Sequence, residues 1–209
     1  MLACSLHKYL WPSFLLIFLS VSGNLSLADN SLSRYEIKHL LRHKISSIKD
    51  LTENPRIIAA VRRHNAKNIT LKSIIEVDKQ WSSYDDSHPQ KKKMYQSIIG
   101  LYLKNLVEFE KSIYSEIFLT DNQGANITAW PITSDYWQGD ENKWSRAFNS
   151  GTGSIYIGQL EYDESSNANA VQISIPVMDD GKAIGVLIAG IKLTYLQAKY
   201  LNSTTRNSP

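Results

Sequence analysis

The chain has 209 residues, of which 43% are hydrophobic and 21% charged, with a formal net charge of +3. That is enough apolar material for one sizeable core, which excludes intrinsic disorder, and too mild a charge to argue for nucleic acid as a partner. The one cysteine, Cys4, precedes the first apolar run, so it is neither a lipid-bearing cysteine behind such a run nor part of a disulfide framework.

Residues 1–28 have the layout of a secretory signal peptide. A weakly basic start (His7, Lys8) leads into the apolar run 11–21, and Ser26 and Ala28 are small residues flanking a cut after Ala28. The run is short of the about 20 residues that a membrane span needs. Export to the periplasm is therefore expected, with an uncleaved N-terminal anchor in the inner membrane as the alternative.

From residue 32 the apolar positions Ile37, Leu40, Leu41, Ile45, Ile48 and Leu51 keep helical spacing and predict one long helix with a single apolar stripe. Asn54 and Pro55 announce a second helix over 56–64, as cap and first-turn proline. Residues 70–81 read as a third helix and 84–89 as a loop. A fourth helix is expected from about 90 to 112, with Met94, Ile98, Leu101, Leu106, Val107 and Ile113 facing inwards. The period then changes. Residues 116–120 and 126–130 are short strand patterns joined by a turn with Gly124 where positive φ is easiest. Further strands are expected at 154–159 and 170–178, separated by the polar excursion 161–169. Asp179-Asp180-Gly181-Lys182 is a hairpin turn, and 183–192 is the most apolar strand, which marks it as central. An amphipathic segment, 194–201, closes the chain. The fold class is α+β, a long N-terminal helix and further helices packed on a roughly five-stranded antiparallel sheet. The expected organisation is a helical region at 29–114, a sheet with an inserted loop and helix at 115–203, and a flexible tail at 204–209.

The stretch 132–144 (ITSDYWQGDENKW) holds two tryptophans, a tyrosine and three acids with almost nothing aliphatic. It reads as a loop that turns at Gly139 into a short helix running through Phe148, with Asp140 as N-cap and Glu141 in the first turn. Rigid rings beside carboxylates suit a small polar ligand. The competing reading is that the rings close one edge of a sheet. Strand parity supplies a floor for the first reading. Val171, Ile173, Ile175 and Val177 share one face and leave Gln172 and Ser174 on the other, as Ile155 and Ile157 leave Ser154 and Tyr156. The long helix should cover the aliphatic face. Tyr156, Gln172 and Ser174 would then floor a pocket roofed by Tyr136, Trp137 and Trp144.

Catalytic and metal readings are weak. Asp140-Glu141 and Asp163-Glu164 are adjacent acids that point in different directions, so a periplasmic hydrolase has no spacing argument. His39 and His43 stand at i, i+4, but no third metal ligand follows at a telling distance. No phosphate-binding glycine loop or nucleophile elbow is present. No enzyme activity, metal or cofactor is expected.

The order of elements, together with Ile117-Phe118-Leu119-Thr120-Asp121 and Gly124, Trp144, Tyr162-Asp163, Ile175-Pro176-Val177, and Gly181 with Gly185-Val186-Leu187, resembles the Cache family of PAS-like extracytoplasmic sensor domains. The resemblance covers roughly residues 32–201. It implies a PDC-type sheet with a long N-terminal helix, and a small solute bound between the sheet and a loop-helix cover. It also implies a membrane-bound receptor, kinase or cyclic-dinucleotide enzyme as signalling partner, and a homodimer through the long helix. In amino-acid-binding members an Arg two residues before the Trp clamps the ligand carboxylate, and an Asp after a Tyr takes the amine. Here the first position is Asn142, whereas Tyr162-Asp163 retains the second. A neutral polar or cationic solute is therefore expected rather than an amino acid, with Asp135, Asp140 or Asp163 as charge partner. The chain stops in polar residues at Pro209, so a free binding module, an anchored one or a fragment is expected. The alternative is a structural or interaction protein whose pocket is filled by its own rings.

Overall fold

A computed structural model describes residues 32–163 and 167–206. The expected signal peptide and the last residues of the expected tail lie outside them. Among the described residues no helix is long and apolar enough to cross a membrane.

The first long helix is a rod with one joint. It comprises α1 (Arg34–Leu40), started by a capping box between Ser33 and Glu36, and α2 (Arg42–Thr52). Leu41 between them still donates to Ile37 (3.0 Å) and accepts from Ile45 (2.8 Å), so the hydrogen-bond ladder is carried through. Ile37, Leu41 and Ile48 are buried along its inner stripe. Asn54 caps α3 (Pro55–Asn65), and Thr70 caps α4 (Leu71–Trp81), each accepting a first-turn amide.

The expected fourth helix is two helices, α5 (Pro89–Gln96) and α6 (Ile98–Phe109). Ser97 between them is extended (φ −68°, ψ 160°), and its Oγ accepts from the Gly100 amide at 2.9 Å. A Cβ on Gly100 would lie 2.8 Å from Tyr95 Cα and closer still to the Met94 carbonyl, so the corner admits only glycine. The break resets the helical phase. Ile99, Leu103 and Val107 are buried, whereas Ile98 and Leu101, expected to face inwards, are exposed.

The sheet has five antiparallel strands, β1 (Tyr114–Thr120), β2 (Asn126–Trp130), β3 (Tyr156–Asp163), β4 (Ala168–Asp179) and β5 (Lys182–Lys192). Their order is β2-β1-β5-β4-β3, which puts the apolar β5 at the centre as expected. A short helix, α7 (Asn142–Phe148), is inserted between β2 and β3. A last helix, α8 (Leu193–Arg206), follows β5 and runs past residue 204, where the flexible tail was expected to begin.

Alternation along the strands divides the core in two. Ile117, Leu119, Ile173, Ile175, Leu187 and Ala189 pack with Ile37, Leu41, Ile48, Ile57 and Val61 of the helical layer. Each fully buried Ile or Leu there contributes roughly 2 kcal/mol. On the opposite face Phe118, Val186 and Ile188 pack with Ala147 of α7. The sheet is thus covered by helices on one face, and on the other by α7 and the loop that leads to it.

Candidate functional site

A cavity of about 390 Å³ lies beside α7, on the face that the helical layer leaves uncovered. That is within the size range of small-solute sites. Its cover is Ser134, Glu141, Asn142 and Lys143; its floor comes from β3 and β4, chiefly Tyr156, Gln159, Glu161, Tyr162 and Gln172. Strand parity builds this floor. Tyr156 stands opposite Ser174 in register, and Gln172 opposite Gly190. Behind it, Gln172 Nε2 donates to Glu116 Oε1 at 2.7 Å, and Glu116 is buried. Gly190 makes that carboxylate possible, since a Cβ there would stand 3.0 Å from Glu116 Cγ. Two lining acids, Glu141 and Glu161, face one lining base, Lys143, whose Nζ is 3.8 Å from Glu141 Oε1. The chemistry offered is polar, with phenol, amide and carboxylate groups and an acidic excess.

Of the residues singled out in the sequence, Tyr156, Tyr162 and Gln172 line this cavity. Tyr162 is largely exposed and its hydroxyl donates to Asn167 Oδ1. Asp163 ends β3, in register with Ala168. Ser174 lies on the same face but is fully buried, and its Oγ has no hydrogen-bond partner. Trp144 covers the adjoining part of the face rather than the cavity. Its ring stacks on Phe148 at 4.7 Å, and its Nε1 donates to the Asp121 carbonyl at 3.3 Å.

The rest of the aromatic stretch turns away from the cavity. Asp78 of α4 accepts the backbone amides of both Tyr136 and Trp137 on one oxygen, each at 2.9 Å. This clamp draws Tyr136 against Trp81, with ring centroids 5.2 Å apart, in a third cluster containing Ile74, Met94 and Ala125. Burial, with Asp121 nearby, pushes the Tyr136 phenol up to about 12. Trp137 Nε1 donates to the Gln123 carbonyl at 2.7 Å. These two rings therefore tie the stretch to α4 and to the β1–β2 turn, where sequence reasoning expected walls of this pocket; Tyr136 instead lines a different concavity, between α3 and the α5–α6 corner. Asp135 is exposed. Its carbonyl accepts from Thr133, Asn126 and Gln138, and its carboxylate accepts from Ser134 Oγ at 2.9 Å. Asp140 is exposed one position before the helix cap. The N-cap of α7 is Glu141, without a side-chain cap bond, because the helix begins one residue later than the acid pair suggests.

Sequence reasoning missed Glu116 and Asp78. The first had a signal, since parity with Phe118 places it on the Gln172 face. The second had none, because a polar residue on an amphipathic helix reads as solvated.

The family model described as methyl-accepting chemotaxis protein-like, first PDC sensor domain, matches residues 85–198. No curated protein matches the chain in sequence. Among solved structures, the sensor domain of the V. cholerae histidine kinase DctB is 13% identical, covering 79% of this chain and 57% of that one, with a TM-score of 0.40. The ligand-binding domain of the Campylobacter jejuni chemoreceptor Tlp3, in complex with L-valine, is 15% identical, covering 81% and 68%, with a TM-score of 0.38. The chain thus spans little more than half of the DctB sensor domain.

Proposed function

The chain belongs to the family of methyl-accepting chemotaxis protein-like first PDC sensor domains, and from that premise we propose that it binds a small polar or cationic solute in the cavity beside α7. The observation that carries this reading is the cavity's lining, in which Tyr156 and Gln172 of the sheet face Glu141 and Lys143 of the cover across about 390 Å³. The acidic excess of Glu141 and Glu161 favours an ammonium or a neutral hydrogen-bonding group over an anion. The domain works outside the cytoplasm, in the periplasm, without catalysis. It passes occupancy to a membrane-bound chemoreceptor, histidine kinase or cyclic-dinucleotide enzyme, and pairs with a second copy through α1 and α2.

A thermal-shift screen of the chain against amines, amino acids, nucleobases and organic acids, followed by calorimetry, tests the reading. Amines or neutral polar solutes should raise the melting temperature. Glu141→Gln and Glu161→Gln, both at exposed positions, should weaken an amine by about three- to tenfold each while leaving the fold intact. A second reading, a self-filled interaction module, draws on the Trp144–Phe148 stack that occupies the neighbouring part of the face. It prevails if no compound shifts the melting temperature and Gln172→Leu merely destabilises the domain.

A further inference from the structure

The outer face of α6 carries an apolar stripe that the described residues leave open to solvent. Ile98 is 79% exposed, Leu101 47%, Tyr102 42% and Phe109 90%, on a helix of 12 residues. The opposite face of the same helix, Ile99, Leu103 and Val107, already supplies its share of the core, so the stripe is surplus to what the fold needs. The charged residues beside it are drawn aside toward β2. Lys104 Nζ stands 3.9 Å over the Trp130 ring, and Glu108 Oε1 accepts from Trp130 Nε1 at 2.8 Å. The four apolar side chains leave roughly 500 Å² open, interrupted only by Asn105, which is at the upper end for a patch on a monomer and marks an interaction surface.

The spacing of the stripe identifies its occupant. Ile98, Tyr102, Asn105 and Phe109 follow one another at intervals of four, three and four residues, which is the seam of a packed helix pair. Read backwards, the intervals are the same. Two copies related by a twofold axis across α6 therefore meet antiparallel with every seam position filled, Ile98 of one copy against Phe109 of the other and Tyr102 against Asn105. The one amide in the seam is matched, since the Tyr102 phenol of each copy can donate to the Asn105 carbonyl oxygen of the other. No charge lies in the seam to be desolvated. Covering the stripe on both copies removes about 1,000 Å² of apolar surface, and with its polar rim the contact reaches the roughly 1,200 Å² at which stable interfaces begin. That area suits a reversible dimer of this chain.

We propose that α6 is a self-association face, on which two copies of this chain pair antiparallel. Ile98 and Phe109 are its anchors, Leu101 flanks them, and Tyr102 with Asn105 fixes the register. The face is separate from α1 and α2, and the proposal rests neither on pairing through those helices nor on the reading given to the cavity beside α7.

Cross-linking between single cysteines tests the face and its direction together. Cys4 is the only native cysteine, so in a Cys4→Ser background each introduced thiol reports one position. Chains carrying Ile98→Cys, mixed with chains carrying Phe109→Cys, should be joined by a short bismaleimide. Neither chain alone should give that product, because an antiparallel pair holds the two copies of position 98, and likewise of position 109, about 16 Å apart along the axis. In sedimentation velocity the parent chain should self-associate in the micromolar range. Ile98→Glu and Phe109→Glu, both at exposed positions, should weaken that association at least about tenfold without lowering the melting temperature of the monomer. The proposal fails if the parent chain is monomeric, if the mixed chains cross-link no better than either alone, or if Phe109→Glu associates as tightly as the parent.

Discussion

The clamp from α4 to the aromatic stretch gives the sharpest prediction, because one carboxylate oxygen carries two backbone amides. Asp78 Oδ1 accepts from Tyr136 and Trp137 at 2.9 Å each, in a partly buried setting. Hydrogen bonds to a charged acceptor contribute about 1.5–3 kcal/mol each, and sharing one partly solvated oxygen keeps the pair near the low end. Asp78→Ala removes the acceptor and leaves both amides beneath the Trp81–Tyr136 contact, so the expected loss is about 3 kcal/mol. Asp78→Asn keeps an oxygen of the right shape without its charge and should cost about 1–2 kcal/mol. Equilibrium urea unfolding, followed by tryptophan fluorescence and far-ultraviolet dichroism, measures both. Because Ser134 lies two residues before the clamp and lines the cavity beside α7, Asp78→Ala should also weaken solute binding there, while Asp78→Asn largely preserves it. A loss below about 1 kcal/mol for Asp78→Ala would refute the reasoning. It would mean that packing, not the clamp, sets the course of the stretch.

Gly100→Ala should destabilise by at least about 2 kcal/mol, because the added methyl meets the Met94 carbonyl and Tyr95 Cα, which are backbone and cannot swing aside; a chemical-denaturation midpoint measures it. Tyr136→Phe tests the buried phenol. The unfolded chain ionises near pH 10 and the folded one only at about 12, so wild-type stability should fall between those values by up to roughly 2–3 kcal/mol. The Tyr136→Phe variant should lack that part of the slope, and parallel profiles would contradict the assignment. At Lys44, burial is the largest single influence and lowers the ammonium's pKa, but the 2.6 Å bond to Glu110, together with the charges of Glu110, Tyr114 and Tyr195, outweighs it and leaves the value above that of an ordinary lysine. Lys44→Gln should therefore cost about 1 kcal/mol at neutral pH. The difference from wild type should fade as pH rises beyond about 10.5, where the unfolded lysine loses its proton first.

Where the chain repeats a period against one partner surface, its sequence was enough to read the fold. The stripe Ile37, Leu41, Ile48 and the alternation from Val171 to Val177 each face a single apolar layer, so spacing alone identifies the buried side. The same logic brought Tyr156 and Gln172 to one face, and the structure places both in the lining of one cavity. It failed at Ser97. Residues on either side of that position are all compatible with helix, and the corner is set by a contact, Gly100 against the backbone of Met94 and Tyr95, that exists only after α5 and α6 have folded back on one another.

The aromatic stretch was misjudged for a related reason. A ring in a segment without a period has no direction until its partner is known, and here the partners are distant in sequence. Trp81 lies 55 residues before Tyr136, and Asp78 lies 58 before it. Composition identified 132–144 as a stretch that binds something, and much of what it binds is the protein itself, α4 through Tyr136 and the β1–β2 turn through Trp137. Beside α7, what remains open to a solute is the part of the stretch that carries no ring. Ser134, Glu141 and Lys143 line the cavity beside α7, while Tyr136 lines a concavity between α3 and the α5–α6 corner. One loop thus borders two concavities, held in place by its aromatics, with short polar residues at one and a ring at the other. A search for sites in such a segment should weigh each ring by the partner that holds it, and give weight to short polar side chains next to strand positions of known parity.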